Sequence, residues 1–158
     1  MNRQAKDSAQ APGLSAMALI GRASRGFARV YEPALKELGL SIGQVPVFVM
    51  LKGGHAMTQG ELARLARVEQ SSMAQLLARM ERDGNIVRTA DPADGRSKLI
   101  SLTAAAEKRM PAAREILFAG EAAALKGFSA AEQKALMSLL ARLNANLDEA
   151  AGEPGDVA

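Results

Sequence analysis

Asp91-Pro92-Ala93-Asp94-Gly95-Arg96-Ser97-Lys98-Leu99-Ile100-Ser101-Leu102-Thr103 decides the reading of this chain. Residues 98–102 alternate polar with apolar and residues 86–89 alternate loosely, so both read as short strands. The Asp, Pro, Asp and Gly between them favour a tight turn. Arg96 falls at the tip or far shoulder of that turn. Thr103 then caps a helix. Just upstream, Gln70-Ser71-Ser72 opens another.

Working outward, residues 70–83 divide cleanly at 100° per residue. Met73, Leu76, Leu77 and Met80 form one stripe, and Ser71, Ser72, Gln75, Arg79 and Arg82 form the opposite one. Gly84 closes this helix. Before it, Thr58-x-x-Glu61 is a capping box that opens a helix over residues 59–66, with Leu62, Leu65 and Ala66 as its buried side. Arg67-Val68-Glu69 is the turn between the two. Ser41-x-x-Gln44 opens an earlier helix to about Lys52, with Pro46 in its tolerant first turns and Gly53-Gly54 at its end. Residues 14–38 form a long first helix stopped by Gly39. Gly21 and Gly26 within it mark either close helix packing or tolerated weak spots.

After Thr103 a fifth helix runs to about Lys126, with Pro111 expected to kink it. Ser129-x-x-Glu132 opens a sixth through Leu147. Residues 1–12 are read as disordered and residues 148–158 as a C-terminal tail.

Composition narrows the function classes. Apolar residues make up 48% of the 158, enough for a core, while aromatics make up 3%, so that core is Leu, Ala, Met and Val. There is no Cys and one His, His55, which removes thiol chemistry and multi-histidine metal sites. No Gly-rich phosphate loop or paired-carboxylate motif supports an enzyme. No cofactor and no metal is expected. No apolar run reaches a membrane span, and residues 1–12 lack a signal-peptide core, so the expected location is cytoplasmic. Net charge is +3, yet residues 58–103 carry seven basic and six acidic side chains. Only the placement of charge, not its total, points to nucleic acid.

Two short helices, a three-residue turn and a basic hairpin suit a winged helix-turn-helix. The second helix of the pair would enter the major groove of double-stranded DNA. There Gln75 can address adenine, and Arg79 guanine or phosphate. Ser71, Ser72 and Arg82 share that face. Arg96 would reach the minor groove, while Arg88 and Lys98 would hold the backbone. Asp94 either pairs with Arg96 and stiffens the wing or serves the turn alone.

The chain resembles the MarR family of transcriptional regulators. The matching residues are Asp94-x-Arg96-x-x-x-Ile100-x-Leu102-Thr103 and Gln70-Ser71-Ser72 with Leu76-Leu77-x-Arg79-Met80-Glu81-x-x-Gly84, and order and spacing agree over about residues 14–147. The resemblance implies a mainly α fold with a small β-hairpin wing. A winged helix lobe, residues 40–103, is flanked by dimerisation helices at 13–39 and 104–147. It also implies a bacterial homodimer that represses nearby genes from a pseudo-palindromic operator and releases it when a small phenolic or anionic effector binds. A constitutive or architectural DNA-binding protein is the alternative. Long Leu, Ala and Met faces outside the winged helix independently call for a partner surface, though they could also pack within one chain. For an effector pocket the candidates are Met17, Arg25, Phe48, His55 and Arg114. Each also has a plainer role: Met17 and Phe48 in the core, Arg25 and Arg114 in surface ion pairs, His55 in a loop.

Overall fold

A computed structural model describes residues 15–152. The expected disorder of residues 1–12 lies outside them. The chain divides into two compact units, one ending at Gly120 and one beginning at Glu121. The helices are α1 (Ala16–Glu37), α2 (Val45–Leu51), α3 (Gln59–Ala66), α4 (Gln70–Arg82), α5 (Ala104–Ala124) and α6 (Ala130–Ala150). The strands are β1 (Met57–Thr58), β2 (Ile86–Ala90) and β3 (Lys98–Leu102). No single helix among the described residues is long and apolar enough to cross a membrane.

Local chemistry accounts for most boundaries. Ser15 caps α1 by accepting the Ala18 N–H at 3.1 Å. Gly39, at φ +70°, ends α1 in a Schellman motif: the Gly39 N–H reaches Lys36 O and the Leu40 N–H reaches Leu35 O, both at 2.9 Å. Leu35 and Leu40 are both buried, which supplies the apolar contact of that motif. The Ser41 capping box heads a short 3-10 turn, Ile42–Gln44, that leads into α2 with Pro46 in the first turn. Gln44, Val47, Phe48 and Leu51 then share the buried face. Helix α6 runs through residues 148–150, so the expected tail begins later than residue 148.

The core of the first unit is one cluster. Leu35, Val47, Leu51, Leu62, Leu77, Met80 and Ile100 are wholly enclosed, with Met73 and Ile86 nearly so. Each such side chain contributes about 1.5–3 kcal/mol through burial. On α3 the buried pair is Leu62 and Ala63, with Ala66 half-buried, whereas the expected Leu65 is exposed. Positions 62, 63 and 66 span about 100° of the helix and Leu65 lies some 60° beyond them. The direction from which α2 and α4 approach selects that arc.

The sheet has three strands in the order β1–β3–β2, both pairs antiparallel. Ile86 faces Leu102 and Arg88 faces Ile100, and Ile100 also faces Met57 of β1. The sequence reading had only the hairpin. Two residues are too few for an alternation signal, so β1 exists because β3 offers it an edge.

The close helix approach lies at Gly120, not at Gly21 or Gly26. A Cβ on Gly21 or Gly26 would meet only arginine side-chain ends, at 3.4 Å and 3.9 Å. A Cβ on Gly120 of α5 would sit inside the van der Waals envelope of the Tyr31 ring of α1. Tyr31 in turn stacks on Phe27, centroids 5.6 Å apart. Helix α5 continues through Pro111 as α-helix.

Two predictions follow from this packing and capping. Gly to Ala inside a helix ordinarily gains about 1 kcal/mol. At Gly120 the overlap with Tyr31 should outweigh that, for a net loss of about 1–2 kcal/mol in urea unfolding. On a Tyr31→Ala background the same change should be neutral or favourable; an equal loss there would remove the Tyr31 ring as the cause. The second concerns Glu61, whose carboxylate accepts the Thr58 N–H at 2.7 Å and the Thr58 hydroxyl at 2.9 Å. The backbone bond first, then the hydroxyl, hold its pKa below the ordinary 4.5. A lowered folded pKa gives stability that is present above the unfolded value and lost as pH falls through the folded one. Glu61→Gln should therefore be less stable than wild type at pH 7, with the gap closing below about pH 4. A gap of unchanged size in acid would disprove this role.

Candidate nucleic-acid interface

The turn between α3 and α4 is built on a left-handed residue. Arg67 has φ +52° and ψ +49°, the only non-glycine with positive φ among the described residues. Its N–H reaches Arg64 O at 3.2 Å and the Val68 N–H reaches Ala63 O at 3.0 Å, a Schellman ending that turns the chain sharply into α4. Gln59 Nε2 also donates to Gln70 Oε1 at 3.4 Å, joining the first turns of the two helices. The sequence marks Gln70 as a helix opener and part of the family pattern, but gives no sign of its contact with Gln59.

Helix α4 buries Met73, Leu77 and Met80, with Leu76 half-buried beside them. Ser71, Ser72, Gln75, Arg79 and Arg82 are all exposed, as the periodicity predicts. At 100° per residue they fall within an arc of about 100°. No acidic residue occupies the first turn, and Glu69 makes no side-chain cap. The first-turn N–H groups therefore stay available to an anion.

The basic residues divide by partner. Arg79, Arg96 and Lys98 have no carboxylate partner among the described residues. Arg82 Nε lies 3.0 Å from Asp83 Oδ1 in an exposed pair, which holds it weakly. Arg88 Nε lies 3.0 Å from Glu81 Oε2, with the arginine partly covered. Arg88 therefore braces β2 against α4, and a phosphate would have to draw it away from Glu81. The sequence shows both partners, but only folding brings Glu81 to Arg88.

The wing loop is held by two aspartates acting on backbone. Asp91 Oδ1 accepts the Ala93 N–H at 2.8 Å, and Asp94 Oδ1 accepts the Arg96 N–H at 3.0 Å. Ser97 N–H closes the turn onto Asp94 O at 2.8 Å. Of the two roles open to Asp94, the geometry has the turn: its carboxylate engages the Arg96 backbone and leaves the guanidinium exposed.

Of the five effector-pocket candidates, two come together. Phe48 and Arg114 line an open groove of about 810 Å³ with Val45, Met110, Leu117 and Phe118, bordered by Lys52 and Glu107. The Arg114 guanidinium lies over the Phe118 ring, 5.1 Å from its centroid. Met17, Arg25 and His55 do not line it. Met17 is 82% exposed on α1, so it is not a core residue either. His55 sits in the exposed loop after Gly53-Gly54.

A buried amide and its half-buried arginine partner carry no signal in the sequence. Asn85, wholly enclosed, receives a bond from Arg109 Nη2 at 2.6 Å. Arg109 Nη1 also reaches Leu38 O at 2.9 Å. Their separations in sequence leave no local signal.

Comparison with known proteins agrees with this geometry. Residues 38–97 match the family model described as MarR family. The HTH-type transcriptional repressor Rv2887 of Mycobacterium tuberculosis is 29% identical over 113 residues, covering 72% of this chain and 81% of the relative. A crystal structure of the transcriptional regulator SlyA superposes with a TM-score of 0.77 at 26% identity, covering 84% of this chain and 94% of that one. A MarR-family regulator from Listeria monocytogenes, crystallised with a 26mer DNA, superposes with a TM-score of 0.75 at 22% identity, covering 90% and 98%, which extends the agreement in fold. Over residues 38–97 the chain is thus similar to the MarR family, and it carries the winged helix fold of these regulators.

Proposed function

We propose that this protein is a dimeric, sequence-specific DNA-binding transcriptional regulator, acting as a repressor that a small phenolic or anionic effector releases from a pseudo-palindromic operator. The observation that carries the reading is the exposed face of α4. Two hydroxyls, an amide and two guanidiniums share one arc with no carboxylate among them, beside a wing whose Arg96 is unpaired among the described residues. The related proteins named as repressors, and the Listeria relative crystallised with DNA, support the same reading.

In this reading α4 is the recognition helix. Gln75 and Arg79 address base edges, Ser71, Ser72 and Arg82 address phosphate or base edges, and Lys98 follows the backbone. Arg96 enters the minor groove. Arg88 contributes through its hold on Glu81 more than through phosphate.

The dimer is supported by apolar surface that a single chain leaves uncovered. On α6 no residue is buried, and Met137, Leu139 and Leu147 are each more than half exposed. Val30 of α1 and Phe118 of α5 are exposed to the same degree. Large apolar side chains left this exposed on each unit support an interaction surface. Residues 13–39 and 104–147 are accordingly assigned to dimerisation and residues 40–103 to DNA. The groove lined by Phe48, Phe118, Lys52 and Arg114 suits an aromatic ring carrying negative charge, and supports effector control over constitutive binding.

The deciding experiment titrates the protein against the duplex upstream of its own gene, with a shuffled duplex as control, at two salt concentrations. Preference for the native duplex should persist as salt rises. Equal, steeply salt-dependent binding to both would favour the architectural alternative. Gln75→Ala and Arg79→Ala should each cost about 1–3 kcal/mol of specific affinity. Arg96→Ala should weaken sites with A·T-rich flanks most. Light scattering should report twice the 16.6 kDa chain mass, and Leu139→Glu should shift it towards the monomer. A wild-type monomer would remove the two-half-site arrangement.

A further inference from the structure

We propose that Arg109 is a positioning residue for DNA reading, clamping the joint between α4 and the wing onto the end of α1 and so setting the half-site spacing the dimer accepts. The proposal rests on the dimeric DNA-binding reading above.

The clamp is a chain of directed bonds. Asn85 is the last of the three residues that join α4 to β2, and it is fully enclosed. Its N–H reaches Met80 O at 2.8 Å, and its carbonyl accepts the Thr103 N–H at 3.0 Å. Its side-chain Oδ1 accepts Arg109 Nη2 at 2.6 Å, and Nδ2 donates to Gly39 O at 3.5 Å. Arg109 also donates from Nη1 to Leu38 O at 2.9 Å and from Nε to Ala105 O at 3.1 Å. One guanidinium therefore holds the C-terminal end of α1, the exit of α4 and the first turn of α5. Leu38 is the C-cap of α1, where the helix dipole is negative, so a cation is well placed there.

Space at the joint is matched to this contact. A Cβ on Gly39 would come to 3.1 Å from Arg109 Nη1, and Gly39 already sits at φ +70°. A residue that only filled core at position 85 would be cheaper as Leu or Met, since a buried amide must find partners. Apolar contacts let packed elements slide, whereas hydrogen bonds constrain both distance and angle. The broad packing of α4 is against α3 and β2. Two other polar ties between the winged lobe and α1 or α5, Glu32 to the Ile42 N–H and Glu107 to the Gly54 N–H, attach to other segments. Arg109 acts at the point where α4 becomes the wing.

The test separates positioning from stability. Arg109→Ala would orphan the buried Asn85 oxygen and confuse the two. The double variant Asn85→Leu/Arg109→Leu removes the donor and the buried acceptor together, so a thermal midpoint near wild type is expected. The probes are duplexes carrying half-sites that the wild-type protein selects from a random-sequence library, at the selected spacing and with one base pair added or removed. Wild type should prefer its own spacing by about tenfold or more, since two-fold symmetry fixes the distance between recognition helices. The double variant should keep the wild-type salt dependence while that preference falls to about twofold. Retained discrimination at a wild-type midpoint overturns the proposal. If the double variant does not fold, Arg109→Lys carries the test, because it keeps the charge but loses the planar fork. Its preference should fall between the two values, and a wild-type value overturns the clamp. Wild-type protein without any sequence or spacing preference overturns the DNA-binding reading itself, and the clamp with it, which the wild-type control shows before any variant is read.

Discussion

One apolar seam holds this fold in its working shape. Met73, Leu77 and Met80 of α4 pack into the same enclosed cluster as Leu62 of α3, Ile86 of β2 and Ile100 of β3. Burying that stripe fixes the rotation of α4 about its own axis. The exposed arc of Ser71, Gln75 and Arg79 follows from it, because the two stripes are opposite sides of one helix. Polar display is here a consequence of apolar packing.

Backbone geometry finishes what the seam begins. Three Schellman endings, at Gly39, Arg67 and Gly84, turn the chain out of α1, α3 and α4. Two use glycine, as expected for left-handed residues. The third places an arginine there, which costs about 1–2 kcal/mol in local strain. The turn between α3 and α4 keeps its shape because Leu62 and Met73, on either side of it, are both locked into the core. In the wing, Asp91 and Asp94 take over the role of fixing the loop, each by bonding a backbone N–H two residues on.

The charged groups sort by whether folding gives them a partner. Glu81 takes Arg88 and Asp83 takes Arg82, while Arg79, Arg96 and Lys98 remain without a carboxylate among the described residues. That sorting explains how a segment with nearly balanced charge can present a basic face. Most of its acids are spent on caps, turns and braces: Glu61 on the α3 cap, Asp91 and Asp94 on the wing loop, Glu81 on β2. The same principle operates at Arg109, where carbonyls and an amide replace carboxylates as the acceptors.

The sequence alone determined whatever depends on neighbours in the chain. The capping boxes at Thr58 and Ser129, the stop at Gly39, the three-residue turn after Ala66 and the two faces of α4 were all legible, because each arises from residues within a turn or two of one another. So were the wing and the exposed side chains of α4 that make up most of the candidate site. Tertiary structure decided the rest. It added β1, which pairs only because β3 lies beside it, and chose Ala63 over Leu65 for the core. It separated Phe48 and Arg114, which share a groove, from Met17, Arg25 and His55, which do not line it. It also brought Gly120 to Tyr31 and Arg109 to Asn85 and Leu38. These contacts join residues 24 to 89 positions apart, and no periodicity or local propensity encodes the direction from which a distant element arrives.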